Sequence, residues 1–157
     1  MSINTNPGDV LTEDQKDMLF FIYEGEKVAR DVYITLGKIH KDEYTFAMMQ
    51  FAEQRDIDCA RDLCDTYGVE TSHINESTVG KFKSTVLQTL YDACTEKGTR
   101  SLHDALEVGK YIEATDIEDL EQASVSMPSD VVHVYENMKQ RNLRHLRAFQ
   151  LALSKAA

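Results

Sequence analysis

The sequence predicts an all-α fold: an antiparallel four-helix bundle with a long crossover between the second and third long helices, the crossover carrying an extra short helix. Three observations point to it. Apolar residues recur every three or four positions along four long stretches, the mark of amphipathic helices. No stretch alternates apolar and polar residues in the way of a half-buried strand. Only two prolines and seven glycines interrupt 157 residues, so the elements can be long.

Each element has its own signals. Residues 1–11 are polar, contain Pro7-Gly8, and read as a flexible arm; residues 12–157 form one domain. Thr12 and Gln15 make a capping box, followed by Glu13 and Asp14 at a helix N-terminus. The first long helix runs from about Glu13 to about Leu36, with Gly37 as its stop. The second runs from about Tyr44 to Tyr67 and ends at Gly68. A polar segment from Gly68 to Gly80 leads to a shorter helix marked by Phe82, Val86, Leu90 and Cys94, ending at Gly98. The third long helix starts at Ser101, a good N-cap, and reaches about Ser124. Met127-Pro128 breaks the chain, and the fourth starts near Ser129-Asp130. The linker between the second and third long helices far exceeds what a helical hairpin needs. Short loops on either side of one long crossover are the connectivity of the ferritin-like bundle.

Composition excludes several function classes. A formal net charge of −10 with no basic block argues against a nucleic-acid surface and against an anionic membrane. Such charge is compatible with cationic ligands, although it also serves simply to keep a surface solvated. Cys59, Cys64 and Cys94 lack disulfide spacing and read as reduced thiols. The start MSINTNPGDV has no signal-peptide pattern, and no apolar run reaches membrane-spanning length, so a cytoplasmic location is expected.

The informative positions are polar residues inside apolar stripes. In the first long helix the stripe Leu19, Ile22, Glu26, Ala29, Tyr33, Leu36 has a carboxylate at its centre. In the second, Glu53 and Asp56 interrupt Phe46, Met49, Ala60 and Leu63. In the third, Glu113 and Asp116 lie on or beside the apolar side, with Glu113 favoured as the inward one. In the fourth, Asn142 and His145 sit between Met138 and Phe149. Their depths along the helices differ by roughly 10 Å at most, so one level of the bundle can collect them. Acids meeting in an apolar interior must either share protons or be neutralised by cations. Carboxylates with one imidazole suit Fe or Mn, as one or two ions, with Zn also compatible. Each residue has a plainer reading: Glu26 paired with Arg30 at i+4, Asp56 held by a neighbouring arginine, His145 a satisfied core histidine.

A resemblance adds to this. Glu26-Lys27-Val28-Ala29-Arg30 resembles the Glu-x-x-Ala-Arg helix of rubrerythrin-type ferritin-like proteins. The blocks EGEKVARDVY, FAEQRDIDCARDLCDTYGV, SLHDALEVGKYIEATDIEDLE and VYENM…RHLRAF resemble a prokaryotic family of the ferritin-like superfamily, domain of unknown function 2202, over roughly residues 15–152. In the superfamily two helices each give one Glu and two each give Glu-x-x-His, holding a di-iron or di-manganese centre. The resemblance implies that Glu26 and Glu113 are the lone glutamates, Glu53 the first residue of one Glu-x-x-His, and His145 the histidine of the other. Two positions depart from the pattern: Asp56 stands in place of a His and Asn142 in place of a Glu. Asp56 still offers an oxygen; Asn142 offers only a neutral carbonyl. Gly25 stands where the closer family commonly has an acid. Metal ligands are therefore expected at Glu26, Glu53, Asp56, Glu113 and His145, with Arg30, Asp116 and Asn142 around them.

The implied function is metal binding, with dioxygen, peroxide or iron-handling chemistry by resemblance only. The alternative is a bundle whose metal site has degenerated into a structural or interaction module, its acids closed into a dry network with Arg30 or Arg55. Phe20, Phe21 and Met48 either form a surface for a homodimer or cover the crossover helix.

Overall fold

The structure, a computed structural model, describes residues 10–156. It has five helices: α1 (Glu13–Ile39), α2 (Tyr44–Thr66), α3 (Thr85–Arg100), α4 (Leu102–Ser124) and α5 (Ser129–Ala156). Among the described residues there is no strand. Among the described residues no helix is long and apolar enough to cross a membrane. The arm expected over residues 1–11 lies largely outside the described residues. Its last member, Leu11, is only 5% exposed and packs into the core.

Contacts between helix ends give the topology. α1 and α2 form one hairpin, α4 and α5 another. His40, the C-cap of α1, bonds through Nε2 to the Gly98 carbonyl at 2.7 Å, just before α4 begins. Gln15, in the first turn of α1, donates to the Ser126 carbonyl at 2.6 Å, just after α4 ends. So α1 and α4 are antiparallel. Tyr67 at the end of α2 donates to Asp130 in the first turn of α5 at 2.7 Å, so those two are antiparallel as well. α2 and α4 therefore run the same way, and the chain between them must travel the length of the bundle. Residues 67–101 do this, with α3 lying against α1 and α4.

Local chemistry explains most boundaries. The Thr12–Gln15 capping box is present in both directions. Ser84 and Ser101 cap α3 and α4. Gly68 ends α2 in the left-handed region, at φ +70°. Two expected stops are not stops. α1 continues through Gly37 to Ile39, and a Cβ on Gly37 would sit 3.3 Å from Phe46 Cβ. Gly98 lies inside α3, where a Cβ would fall 2.5 Å from Leu36 Cδ2. Both are places of close helix approach. The expected face of the crossover helix is also shifted: Val86 is 69% exposed, Leu87 is buried, and Phe82 precedes the helix.

The core has two halves. One contains Leu19, Ile22, Ile57, Leu63, Leu120, Tyr135 and Met138. The other contains Ala29, Val32, Leu36, Phe46, Met49, Leu106, Ile112 and Phe149. On every long helix the break between the halves falls at the polar positions: Glu26, then Glu53 and Asp56, then Glu113, then Asn142. A buried polar layer thus separates two apolar slabs.

The opposite face of α1 is buried too. Glu24, Lys27 and Asp31 have no exposed surface, although they lie outside the apolar stripe. They hold the crossover through its backbone. Glu24 accepts from the amides of Lys83 (2.6 Å) and Ser84 (3.0 Å). Lys27 donates to Asp31 (2.7 Å) and to the carbonyls of Thr78 (2.8 Å) and Lys81 (3.1 Å), with the Phe82 ring 4.5 Å away. Asp31 accepts from the Gly80 amide at 3.0 Å. An irregular segment has backbone groups with no ladder partner, and these three side chains supply them.

Candidate metal centre

Five expected residues meet at the polar layer. Glu53, Asp56 and Glu113 have no exposed surface, Glu26 is 2% exposed, and the His145 side chain is 13% exposed. Ligand atoms from Glu53, Glu113 and His145 lie within 4.8 Å of one another, as do those from Glu26, Glu53 and Asp56. Glu53 belongs to both groups. Its position at mid-α2, one turn from Asp56, lets it face α1 on one side and α4–α5 on the other.

His145 Nδ1 lies 3.5 Å from Glu53 Oε1 and 3.5 Å from Glu113 Oε1, and makes no hydrogen bond. That separation is long for a hydrogen bond. It is close to the spacing of ligands on one ion: donors about 2.1 Å from a metal lie about 3.0 Å apart in an octahedral arrangement and about 3.4 Å apart in a tetrahedral one.

Several carboxylates have one oxygen held and the other free. Asp56 Oδ1 takes a bond from Arg141 Nε at 2.7 Å, while Oδ2 is buried without a donor. Glu113 Oε1 takes a bond from the Tyr33 hydroxyl at 2.9 Å, while Oε2 is buried without a donor. Neither oxygen of Glu53 takes a bond from an amide, hydroxyl or guanidinium, although Glu26 and Glu113 lie close enough to share a proton with it; Glu26 Oε2 and Asp116 Oδ2 lack such a donor too. Asn142 is fully buried with both amide atoms unpartnered, and the buried Tyr135 hydroxyl is unpartnered. Buried polar atoms are nearly always paired, so this concentration is unusual. One carboxylate oxygen fixed by a neighbour and the other free is the arrangement expected of a metal ligand and its support. By residue type and by free donor atoms, the site fits a hard or borderline cation.

The same burial acts on the acids' protons. Glu26 is pushed well above the usual carboxylate range by burial, then by the charges of Glu53 and Asp56. Glu53 is raised by burial and by Glu113. Glu113 rises to about 8, chiefly by burial. Asp116 is raised by burial and by the charges of Glu26 and Glu113. Asp56 is raised by burial, against the opposing pull of Arg141. Without a cation, burial and mutual repulsion both favour proton uptake by this layer.

Of the residues expected around the ligands, Asp116 and Asn142 lie at the layer. Arg30 does not turn to Glu26. Its guanidinium donates to Asp31 (2.8 Å), Gln54 (2.6 Å) and the Glu76 carbonyl, on the crossover side. Arg55 is exposed. The arginine that reaches the layer is Arg141, which sequence reasoning missed; it directly precedes Asn142 on α5, and that adjacency was the available signal. Tyr33, expected only as core, also orients a ligand candidate. Two histidines away from the layer have contacts of their own: His40 bonds the Gly98 carbonyl, and His73 stacks on Phe20 with ring centres 5.1 Å apart.

Residues 15–156 match the family described as an uncharacterized protein domain, DUF2202. The chain belongs to the DUF2202 family. It is 36% identical over 148 residues to uncharacterized protein MJ0754 of Methanocaldococcus jannaschii, covering 94% of this chain and 79% of that one. The solved structure of hypothetical protein MJ0754 from Methanococcus jannaschii superposes with a TM-score of 0.90 at 34% identity, covering 97% of this chain and 86% of that one. These relationships establish family and fold for this DUF2202 member. Its chemistry has to be read from the polar layer.

Proposed function

We propose that the protein is a ferritin-like metal-binding protein whose polar layer holds a pair of Fe or Mn ions, with Glu53 shared between them. The observation that carries this reading is the overlap of two three-residue groups at one buried carboxylate that takes no bond from an amide, hydroxyl or guanidinium. On this reading Glu113 and His145 complete one half, and Glu26 and Asp56 the other. Tyr33 and Arg141 each bond one oxygen of Glu113 and of Asp56 and so fix the orientation of these two carboxylates. Asn142 contributes a neutral amide where a second acid would add further charge. The two apolar slabs keep water away from the site. A redox-active pair bound there would supply electrons for reduction of dioxygen or peroxide, or would be held as iron cargo.

The Asp56–Arg141 bond favours a second reading, in which the layer is a closed polar network supporting an interaction module. The number of unpartnered atoms counts against it, since a network that closed would satisfy them. Elemental analysis of protein expressed with Fe and Mn available, beside Glu53→Ala, separates the two. Two equivalents in the wild type and less than half an equivalent in the variant support the metal centre. Absence of stoichiometric metal from both supports the network.

A further inference from the structure

The layer is closed above and below by apolar slabs, so an ion must reach it sideways, between helices. A small pocket of about 10 Å³ opens between α1 and α4, lined by Phe21, Ile22, Gly25 and Glu26 from α1 and by Asp116 and Asp119 from α4. That volume has room for about one water. Glu26 at its inner end belongs to the ligand group with Glu53 and Asp56. Its Oε2 is buried and unpartnered, and so is Oδ2 of Asp116. Asp119 is half-buried, and no lysine or arginine lines the pocket. Asp116 and Asp119 are three apart on α4, so they stack on one face and form a carboxylate ladder leading inward. Gly25 makes the gap: a Cβ built on it meets nothing within 4 Å. Glycine in a helix interior costs about 1 kcal/mol relative to alanine, so its place in mid-α1 calls for a reason.

We propose that this pocket is the cation portal of the bundle, in which Asp119 captures a divalent ion, Asp116 relays it, and Glu26 delivers it to the shared site past Gly25. This rests on the metal-centre reading. Each carboxylate replaces part of the ion's water shell, and the overall charge of −10 draws cations toward the mouth. The portal residues govern how fast metal loads. The number of ions held at equilibrium is set by the inner ligands.

The test is stopped-flow loading of the metal-free protein with Co(II), followed by its visible absorption. Wild type is compared with Gly25→Leu, which fills the gap, and Asp119→Asn, which removes the outer charge and keeps the shape. Circular dichroism checks that both variants are folded. The expected result is loading slowed about tenfold or more in Gly25→Leu and about threefold in Asp119→Asn, with the wild-type endpoint in both. Wild-type rates with full endpoints overturn the portal and leave the metal centre standing. A reduced endpoint in folded variants also overturns it, because these residues would then help hold the ion. A wild type that binds no Co(II) overturns the metal centre itself, and the portal with it.

Discussion

Replacing Glu53 by glutamine should change stability in opposite directions with and without metal. Glu53 is fully buried, neither oxygen takes a bond from an amide, hydroxyl or guanidinium, and burial and Glu113 raise its pKa well above the usual range. A carboxyl whose pKa is raised in the fold takes up a proton on folding at neutral pH, at a cost of about 1.4 kcal/mol for every tenfold change in its proton affinity. Glutamine removes that cost. Its new amide hydrogens face acids that can accept them, and imperfect pairing returns about 1–3 kcal/mol of penalty. The net expectation for metal-free Glu53→Gln is a rise in Tm, at roughly 2–4 °C for each kcal/mol gained in a chain of this size. With metal the order reverses. At a free ion concentration of 100 Kd the wild type gains about 2.7 kcal/mol. The variant has lost the shared anionic ligand and should gain little. Thermal melts of both proteins in EDTA and in excess Mn(II) read all four values. A variant less stable than wild type in EDTA, with the same gap in Mn(II), would refute the argument.

Three further predictions concern the same structure. Glu113 holds its proton up to about pH 8 in the fold against about 4.5 in an unperturbed chain. The folded state therefore binds more protons than the unfolded one across that interval. Metal-free stability should fall as pH rises from about 4.5 to about 8, while metal affinity rises because binding displaces those protons; melts and Mn(II) titrations at both ends check this. Lys27→Met should cost about 1–3 kcal/mol in urea unfolding, since Asp31 keeps Arg30 and the Gly80 amide but two buried crossover carbonyls lose their donor. Gly109→Ala should cost about 1–3 kcal/mol, because its Cβ would fall 2.3 Å from the Phe149 ring, whereas Gly25→Ala should stabilise by about 0.5–1 kcal/mol.

What was legible in the sequence follows from what periodicity can see. Glu26, Glu53, Asp56 and Asn142 stood out because each interrupts an apolar stripe, and all four are buried at one layer. The long-helix hairpins and the crossover were legible from loop lengths. The anchoring of the crossover was not. Glu24, Lys27 and Asp31 bond to backbone groups of an irregular segment, and no side-chain pattern in that segment announces them. Arg141 was missed because a long side chain reaches the layer from the flank of its helix. Gly98 and Gly37 were misread because a glycine permits a stop and permits close packing, and sequence alone does not separate the two.

Anomalous diffraction from Mn(II)-soaked crystals tests the central claim most directly. The account predicts two Mn peaks in the polar layer, about 3.5–4 Å apart, with Glu53 reaching both, Glu113 and His145 at one, and Glu26 and Asp56 at the other. A layer without Mn, in which the free carboxylate oxygens and His145 have closed onto one another around Arg141, would contradict it.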